Sequence, residues 1–545
     1  MRPLLLTIAP IVAASITPAA VSDTGEVGSQ VCGGCHAGIY RSYSATGMSQ
    51  SSGRTGSGDF HESSERASFS DPFTGAEYRI LTAPGYRLEF SRTATEVQGE
   101  RTLAWFIGSG RVGRSYLFSL GGFLFQAPVS YYSQQAKWDV SPGFERYGSI
   151  HLTRAVETGC LQCHSSRLQA VAGTQNRYGA PPFLEGGVGC ERCHGPGKAH
   201  VGWAAASARD GAPGIVNPAK LDAARRDSVC EQCHLVGAAR IARARARRDA
   251  YQPGARLSDY SAVFVWTGSG SSALNVNSHF EKLQQSACKR ASGDVLWCGT
   301  CHNPHAEPAA AARVDYYRTR CERCHQPSAC REQRAARQKA QDDCVACHMP
   351  KSPVRDNLHA VYTDHSIPRR PHQPSAAGGS KTLVPFWNTP SDGRDLGLAY
   401  AAVANGGAGL EQKALELLEK AAEHDPADLP VLAQLAQIYD RTGQEEKATA
   451  LDEKIVRSDP AQVTASINLG AYWARRGRVK EAMQLWEDAL ARNPGLTEVR
   501  MNLAVAQYQA GDRAAALASL QKALQYDPDH AVARKLLAEI STAQP

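Results

Sequence analysis

Cys190-Glu-Arg-Cys-His-Gly-Pro-Gly-Lys-Ala-His200 is the stretch on which the reading of this 545-residue chain turns. Two thiols stand three positions apart, a histidine follows at once, and a second histidine comes six residues later. The Cys-x-x-Cys-His pattern of Cys190, Cys193 and His194 recurs at Cys32, Cys35 and His36, at Cys160, Cys163 and His164, and at Cys230, Cys233 and His234. It recurs again at Cys298, Cys301 and His302, at Cys321, Cys324 and His325, and at Cys344, Cys347 and His348. Thiols at this spacing reach the two vinyl groups of one haem, and the next residue turns its imidazole onto the iron. Zinc ribbons also pair cysteines, but neither a zinc site nor a disulfide scaffold requires a histidine after every second cysteine. The motifs therefore predict seven covalently bound haem c groups, with His36, His164, His194, His234, His302, His325 and His348 as proximal iron ligands.

Each iron has a second axial position, and its occupant decides between electron transfer and catalysis. The remaining histidines before the C-terminal region are His61, His151, His200, His279, His305, His359, His365 and His372, and Met48 adds a thioether. His200 and His305 follow a proximal histidine too closely to wrap round to the far side of the same haem. They are placed instead to reach a neighbouring one. The distal candidates are His151, His200, His279, His305, His359 and His365, with Met48 or His61 as a seventh. For any one of them the competing role is an ordinary surface histidine. Cys288 and Cys330 are left over, and an even remainder in an exported chain makes them a candidate disulfide, with two free thiols as the alternative.

Several stretches bring a family into view: Cys32-Gly-Gly-Cys-His-Ala-Gly-Ile-Tyr40 with Gly47-Met48, Trp138-Asp-Val-Ser-Pro-Gly143, and the Cys190 stretch with His200. To these are added Cys298-Gly-Thr-Cys-His-Asn-Pro-His305, and Cys344-Val-Ala-Cys-His-Met-Pro-Lys351 with Tyr362-Thr-Asp-His365. Residues from about 30 to 370 resemble the multihaem cytochromes of the cytochrome c554 and nitrite-reductase relatives, especially exported members with C-terminal tetratricopeptide repeats. The resemblance implies that His200, His305 and His365 are distal ligands. It also marks a departure. Pentahaem nitrite reductases commonly use a proximal lysine at the catalytic haem, and no Cys-x-x-Cys-Lys occurs here.

Residues 1–22 read as a signal peptide: Arg2, an apolar run from Leu4 to Ala14, then small residues at Ala19, Ala20 and Ser22. An uncleaved anchor is the alternative, and no other stretch is apolar enough to span a bilayer. Residues 23–366 are expected to form a loop-rich heptahaem domain. Within it a small antiparallel sheet is inserted at about 70–135, with strands at Tyr78–Leu81, Tyr86–Phe90 and Tyr116–Leu120. Gly108-Ser-Gly110-Arg-Val-Gly113 spells a dinucleotide fingerprint, but strand-like residues follow it, so a tight turn is expected. Arg240, Arg243, Arg245, Arg247 and Arg248 form a basic run suited to haem propionates, an acidic partner or plain solvation. Residues 367–390 read as a linker.

From 391 to 545 the pattern changes. Pro426, Pro460, Pro494 and Pro528 are 34 residues apart, as are Gly409, Gly443, Gly477 and Gly511, and Ala414, Ala448, Ala482 and Ala516. This is the tetratricopeptide period, and it predicts four helix pairs and a terminal helix stacked into an α-solenoid. The fold class is thus mainly α. The formal charge of +7 supports no nucleic-acid partner, because haem propionates would offset it. The sequence reads as an exported, periplasmic or extracellular electron carrier rather than an enzyme. It has no transmembrane span after signal cleavage, its repeats dock a redox partner, and it has scope to oligomerise. The alternatives are a multihaem oxidoreductase acting on a small nitrogen or sulfur compound at one five-coordinate haem, and a subunit of an extracellular cytochrome filament.

Overall fold

The computed structural model describes the chain apart from residues 1–23, 59, 61, 64–66, 207–212, 244–245, 247–249, 268–278, 355–358, 360, 370–381, 390–391, 405–406 and 543–545. The leader read at 1–22, His61, Arg245, Arg247, Arg248, His372 and most of the 367–390 linker lie outside the described residues. No described helix is long and apolar enough to cross a membrane.

The first haem motif is followed by nine strands: β1 (Ser52–Arg54), β2 (Ser68–Ser70), β3 (Glu77–Leu81), β4 (Arg87–Arg92), β5 (Val97–Thr102), β6 (Trp105–Ile107), β7 (Gly113–Leu120), β8 (Phe123–Tyr132) and β9 (Lys137–Val140). They form two antiparallel sheets, β1-β6-β7-β8-β9 and β2-β3-β4-β5. The β region is therefore larger than the small sheet expected. Three-residue strands such as β1 and β6 are too short to show alternation, so the sequence pattern revealed only the longer ones. The core is aromatic, with Tyr78, Phe106, Tyr116, Phe118, Phe125 and Trp138 buried together. Glu62 is buried within it, ion-paired to Arg114 at 3.0 Å and accepting from the Tyr86 and Tyr116 hydroxyls. Gly108 to Gly113 is the turn joining β6 to β7. Gly108 has φ 99°, and a Cβ there would lie 2.5 Å from the Gly113 carbonyl oxygen.

Smaller sheets follow. β10 (Ser165–Ala170) pairs with β11 (Tyr178–Gly186). β12 (Ala239–Ala242), β13 (Ser261–Trp266) and β16 (Leu383–Pro385) form a three-stranded sheet, and β14 (Lys351–Pro353) pairs with β15 (Val361–Thr363). β16 falls inside the segment read as a linker, so at least that part is built into the fold.

Nine helices complete the described chain: Gly393–Ala404, Ala408–His424, Leu429–Arg441, Glu445–Ser458, Val463–Arg475, Val479–Arg492, Thr497–Gln509, Arg513–Tyr526 and Ala531–Thr542. Gly443, Gly477 and Gly511 take left-handed φ of 75°, 79° and 85° at the turn inside each pair. Gly409 instead lies in the first turn of its helix. Ala414, Ala448, Ala482 and Ala516 are buried, where a larger side chain would push paired helices apart.

The array is tied down at both ends. Its first helix packs on β12, β13 and β16 through Leu398 and Ala399 against Ala262, Phe264 and Leu383. Arg394 donates to the Ala242 carbonyl at 3.2 Å, and Arg243 pairs with Asp395 at 3.5 Å. At the far end Tyr526 enters the core of the β region, with its ring 5.8 Å from Phe125. Asp529 there accepts from Arg92 at 2.9 Å, the Thr95 hydroxyl at 2.6 Å and the Ile150 amide at 3.0 Å.

Candidate functional site

Each of the seven motifs overlaps a helix: Ser29–Cys35, Thr158–Gln162, Glu191–His194, Ala223–His234, Cys298–Cys301, Arg313–Glu322 and Cys344–His348. The first and third are locked together. Buried Glu191 accepts from the amides of Val27, Gly28 and Gly197 at 2.8, 2.8 and 2.7 Å. The Cys190 amide donates to the Ser29 hydroxyl at 2.8 Å. Attachment sulfurs of different motifs meet in the same way. Cys32 lies in hydrogen-bonding range of Cys190, Cys163 of Cys233, Cys230 of Cys298, and Cys321 of Cys344. The motifs are thus contiguous in space, so groups attached to them would be neighbours.

The imidazoles report how those groups fit. His36 faces His200 with ring centres 6.4 Å apart and planes within 15°. His194 faces His305 at 5.9 Å and 9°, and His302 faces His365 at 6.3 Å and 30°. Rings in van der Waals contact stand closer, as Tyr147 and His151 do at 3.7 Å. A metal–imidazole bond is about 2 Å, so two imidazoles on opposite faces of one ion have centres about 6 Å apart. The three centre-to-centre separations fall near that value.

The ring nitrogens agree. The Nδ1 atoms of His194, His200, His348 and His365 hydrogen-bond the backbone carbonyls of Val216 (2.7 Å), Pro213 (2.8 Å), Pro368 (3.0 Å) and Thr363 (2.9 Å). Such a bond fixes the tautomer and leaves Nε2 with its lone pair, the form a metal requires. Burial reinforces neutrality. His234 is pushed down to about 4 by burial and by His365, His302 and His164. His279 is pushed down to about 2 by burial and by His234, His365 and His302. An apolar cleft of about 270 Å³, lined by Pro196, Pro213, Ile215, Val216 and Pro253, opens beside His194.

A second observation bears on the fit. From Arg290 to Pro353 every residue is described and none is buried, although the segment carries three of the seven motifs. Helices here have no apolar core of their own, which is what a fold completed by porphyrin faces requires.

The other predicted ligands are placed as follows. His279 stands between His234, at 5.0 Å, and His365, at 4.9 Å. His151 lies flat on Tyr147. His359 is held in the β region, with Nε2 3.2 Å from Asp139 and its ring against Tyr132. Met48 keeps its side chain exposed, while its carbonyl accepts from Ser51 and Val188. Cys288 is half-buried, with its sulfur 4.0 Å from His325 Nε2, and Cys330 is exposed. In the basic run Arg240 turns inward, donating to the Gln232 carbonyl at 2.9 Å, and Arg243 is committed to Asp395. The contacts of Asp529 and Glu191 were missed by sequence reasoning, because single acidic residues carry no pattern.

Residues 134–195, which hold the second and third motifs, match the family of cytochrome c554 and c-prime. Residues 407–466 and 474–540 match the tetratricopeptide repeat. The first match implies covalently bound haem c and a c-type cytochrome carrying electrons; the second implies protein–protein interaction. No curated protein matches the chain. Solved structures that resemble part of it include a crystal structure of MamA, 19% identical over 25% of this chain and 81% of that one, with a TM-score of 0.24. MamA AMB-1 is 27% identical over 27% and 85%, with a TM-score of 0.24. MamA from Desulfovibrio magneticus RS-1 is 21% identical over 28% and 85%, with a TM-score of 0.25. TM-scores this low carry no argument about the whole chain.

Proposed function

We propose that the protein is an exported heptahaem c-type cytochrome that passes electrons along contiguous, mostly bis-histidine-ligated haems. The observation that carries this reading is the set of imidazole pairs with centres near the separation expected across one metal ion: His36 with His200, His194 with His305, and His302 with His365. When bound, haem c supplies one-electron chemistry, and two imidazoles on its iron favour transfer over substrate binding. The chain's own part is to orient His194, His200 and His365 through Nδ1, keep the buried His234 and His279 neutral, and press the attachment sites against one another. His200 and His305 each face the proximal histidine of another motif, so the ligation itself would knit the haems into a chain. The heptahaem domain is read as 23–366, beginning after cleavage of residues 1–22 in a periplasmic or extracellular protein. The repeat domain at 391–545 offers whatever surface its two anchors leave free to a redox partner.

Mass spectrometry of the purified full chain is expected to give seven haems and loss of the leader, and magnetic spectra of the oxidised protein are expected to be low-spin. A high-spin signal from a whole haem equivalent would overturn saturation and favour the oxidoreductase reading. Fewer than seven haems would overturn the count.

A further inference from the structure

Cys288 is not part of an attachment motif, yet its sulfur lies against one. Sγ is 4.0 Å from Nε2 of His325, the histidine that follows Cys321 and Cys324. A direct S–H···N contact at that length is marginal. A first-row metal lies about 2.0 Å from an imidazole nitrogen and about 2.3 Å from a thiolate, so nitrogen and sulfur on opposite faces of one ion stand about 4.3 Å apart. The observed 4.0 Å lies within a few tenths of an ångström of that separation.

The sulfur is also held in place. Cys288 is in the short helix Ala287–Ser292, capped by the fully buried Ser286, which accepts from the Lys289 amide at 3.1 Å. Buried Lys289 donates to the Leu296 carbonyl at 2.8 Å, and the Ser292 hydroxyl donates to the Cys288 carbonyl at 2.7 Å. The described histidines that are candidates for this position face other groups. His200, His305 and His365 oppose other proximal rings, His279 stands by His234, His151 lies on Tyr147, and His359 is bound to Asp139.

We propose that Cys288, as a thiolate, is the sixth ligand of the haem held by Cys321, Cys324 and His325. The assignment rests on reading 321–325 as a haem attachment site. Ligation sends the thiol proton to solvent and places one negative charge on the iron, which stabilises the ferric form. This haem is then the one of lowest potential in the set. Cys330 is left as a free thiol.

The test is electron paramagnetic resonance of the oxidised, fully loaded chain, with the haem number fixed by intact mass. The wild type is expected to show one low-spin species with the narrow g-spread of thiolate ligation beside broader histidine-ligated species. In Cys288→Ser that species, about one seventh of the haem intensity, becomes high-spin with all haems retained. Cys288→His converts it to a histidine-type signal and moves one redox wave upward, and Cys330→Ser leaves it unchanged. A fully loaded wild type with no thiolate species overturns the proposal, whether or not the Ser variant folds. So does a Cys288–Cys330 disulfide in the peptide map. A mass one haem short with Cys321 and Cys324 unmodified removes the haem itself, and so marks failure of the attachment reading rather than of the ligand assignment.

Discussion

The repeat array and the segment from Arg290 to Pro353 are both built of short helices and turns, and they differ in what lies between the helices. In the array Leu418, Val431, Leu435, Ala482, Trp486 and Leu520 are buried, and each helix pair closes on its own apolar face. In the other segment no residue is buried, and Cys324, His325 and Cys347 are themselves exposed. One region carries its core in its sequence. The other carries no such core among its own side chains, as the proposed haem packing would require.

The largest effect that could break this contrast is removal of the haems. Made without haem attachment, the full chain is expected to exchange its amides across 290–353 at nearly unfolded rates. The helices between Leu429 and Tyr526 should stay protected by orders of magnitude. Hydrogen-exchange mass spectrometry reads both regions in one experiment, and protection of 290–353 without haem would sink the idea that porphyrin is its core. The reverse perturbation is Leu435→Ala. Leu435 is buried in the array, and truncation should cost about 2–5 kcal/mol in denaturant titration while the haem spectra stay unchanged.

This contrast also governs what could be read from sequence. The array was legible because each element repeats four times: Pro426, Pro460, Pro494 and Pro528 all fall in loops between pairs, and the alanine at each step is buried. The Cys-x-x-Cys-His motifs stand out in the sequence because one spacing recurs seven times. That His200 and His305 turn towards other motifs followed from chain length alone, and they face His36 and His194. Which ring faces which did not follow, because His36 and His200, 164 positions apart, meet only through the folding of the chain between them. The short strands of the β region were invisible for lack of alternation. The anchoring of the array by Asp529 and Tyr526 was invisible because contacts between distant segments leave no local trace.

That anchoring supplies an intermediate test. The 34-residue pattern describes a free-standing solenoid, whereas here the last loop is bonded into the β region. Asp529 is 2% exposed and its carboxylate holds Arg92, Thr95 and the Ile150 amide. Asp529→Ala leaves a half-buried arginine and an amide without their acceptor, an expected cost of about 2–3 kcal/mol. The loss should appear as faster exchange in Ala531–Thr542 and in β4, with the array's first helix unaffected. Equal exchange at both ends would mean that the array does not rely on this anchor.

The smallest effect lies inside the array, where one carboxyl is buried without a cation. Asp452, in Glu445–Ser458, is 4% exposed, and burial pushes it up to about 7; Asp440 adds to the rise and a hydrogen bond with Asn468 opposes it. Between about pH 4 and pH 7 the folded array keeps this proton while the unfolded chain, titrating near the ordinary aspartate value, has lost it. The unfolded state then binds fewer protons, so stability falls as pH rises through that window, with a slope of at most about 1.4 kcal/mol per pH unit. Asp452→Asn keeps the shape and a hydrogen-bonding group but cannot titrate. Its unfolding midpoint should therefore lack this component of the pH dependence and exceed the wild type's at pH 7. A wild type and variant with parallel pH profiles would show that the carboxylate is already ionised in the fold, through solvent reaching it between the helices.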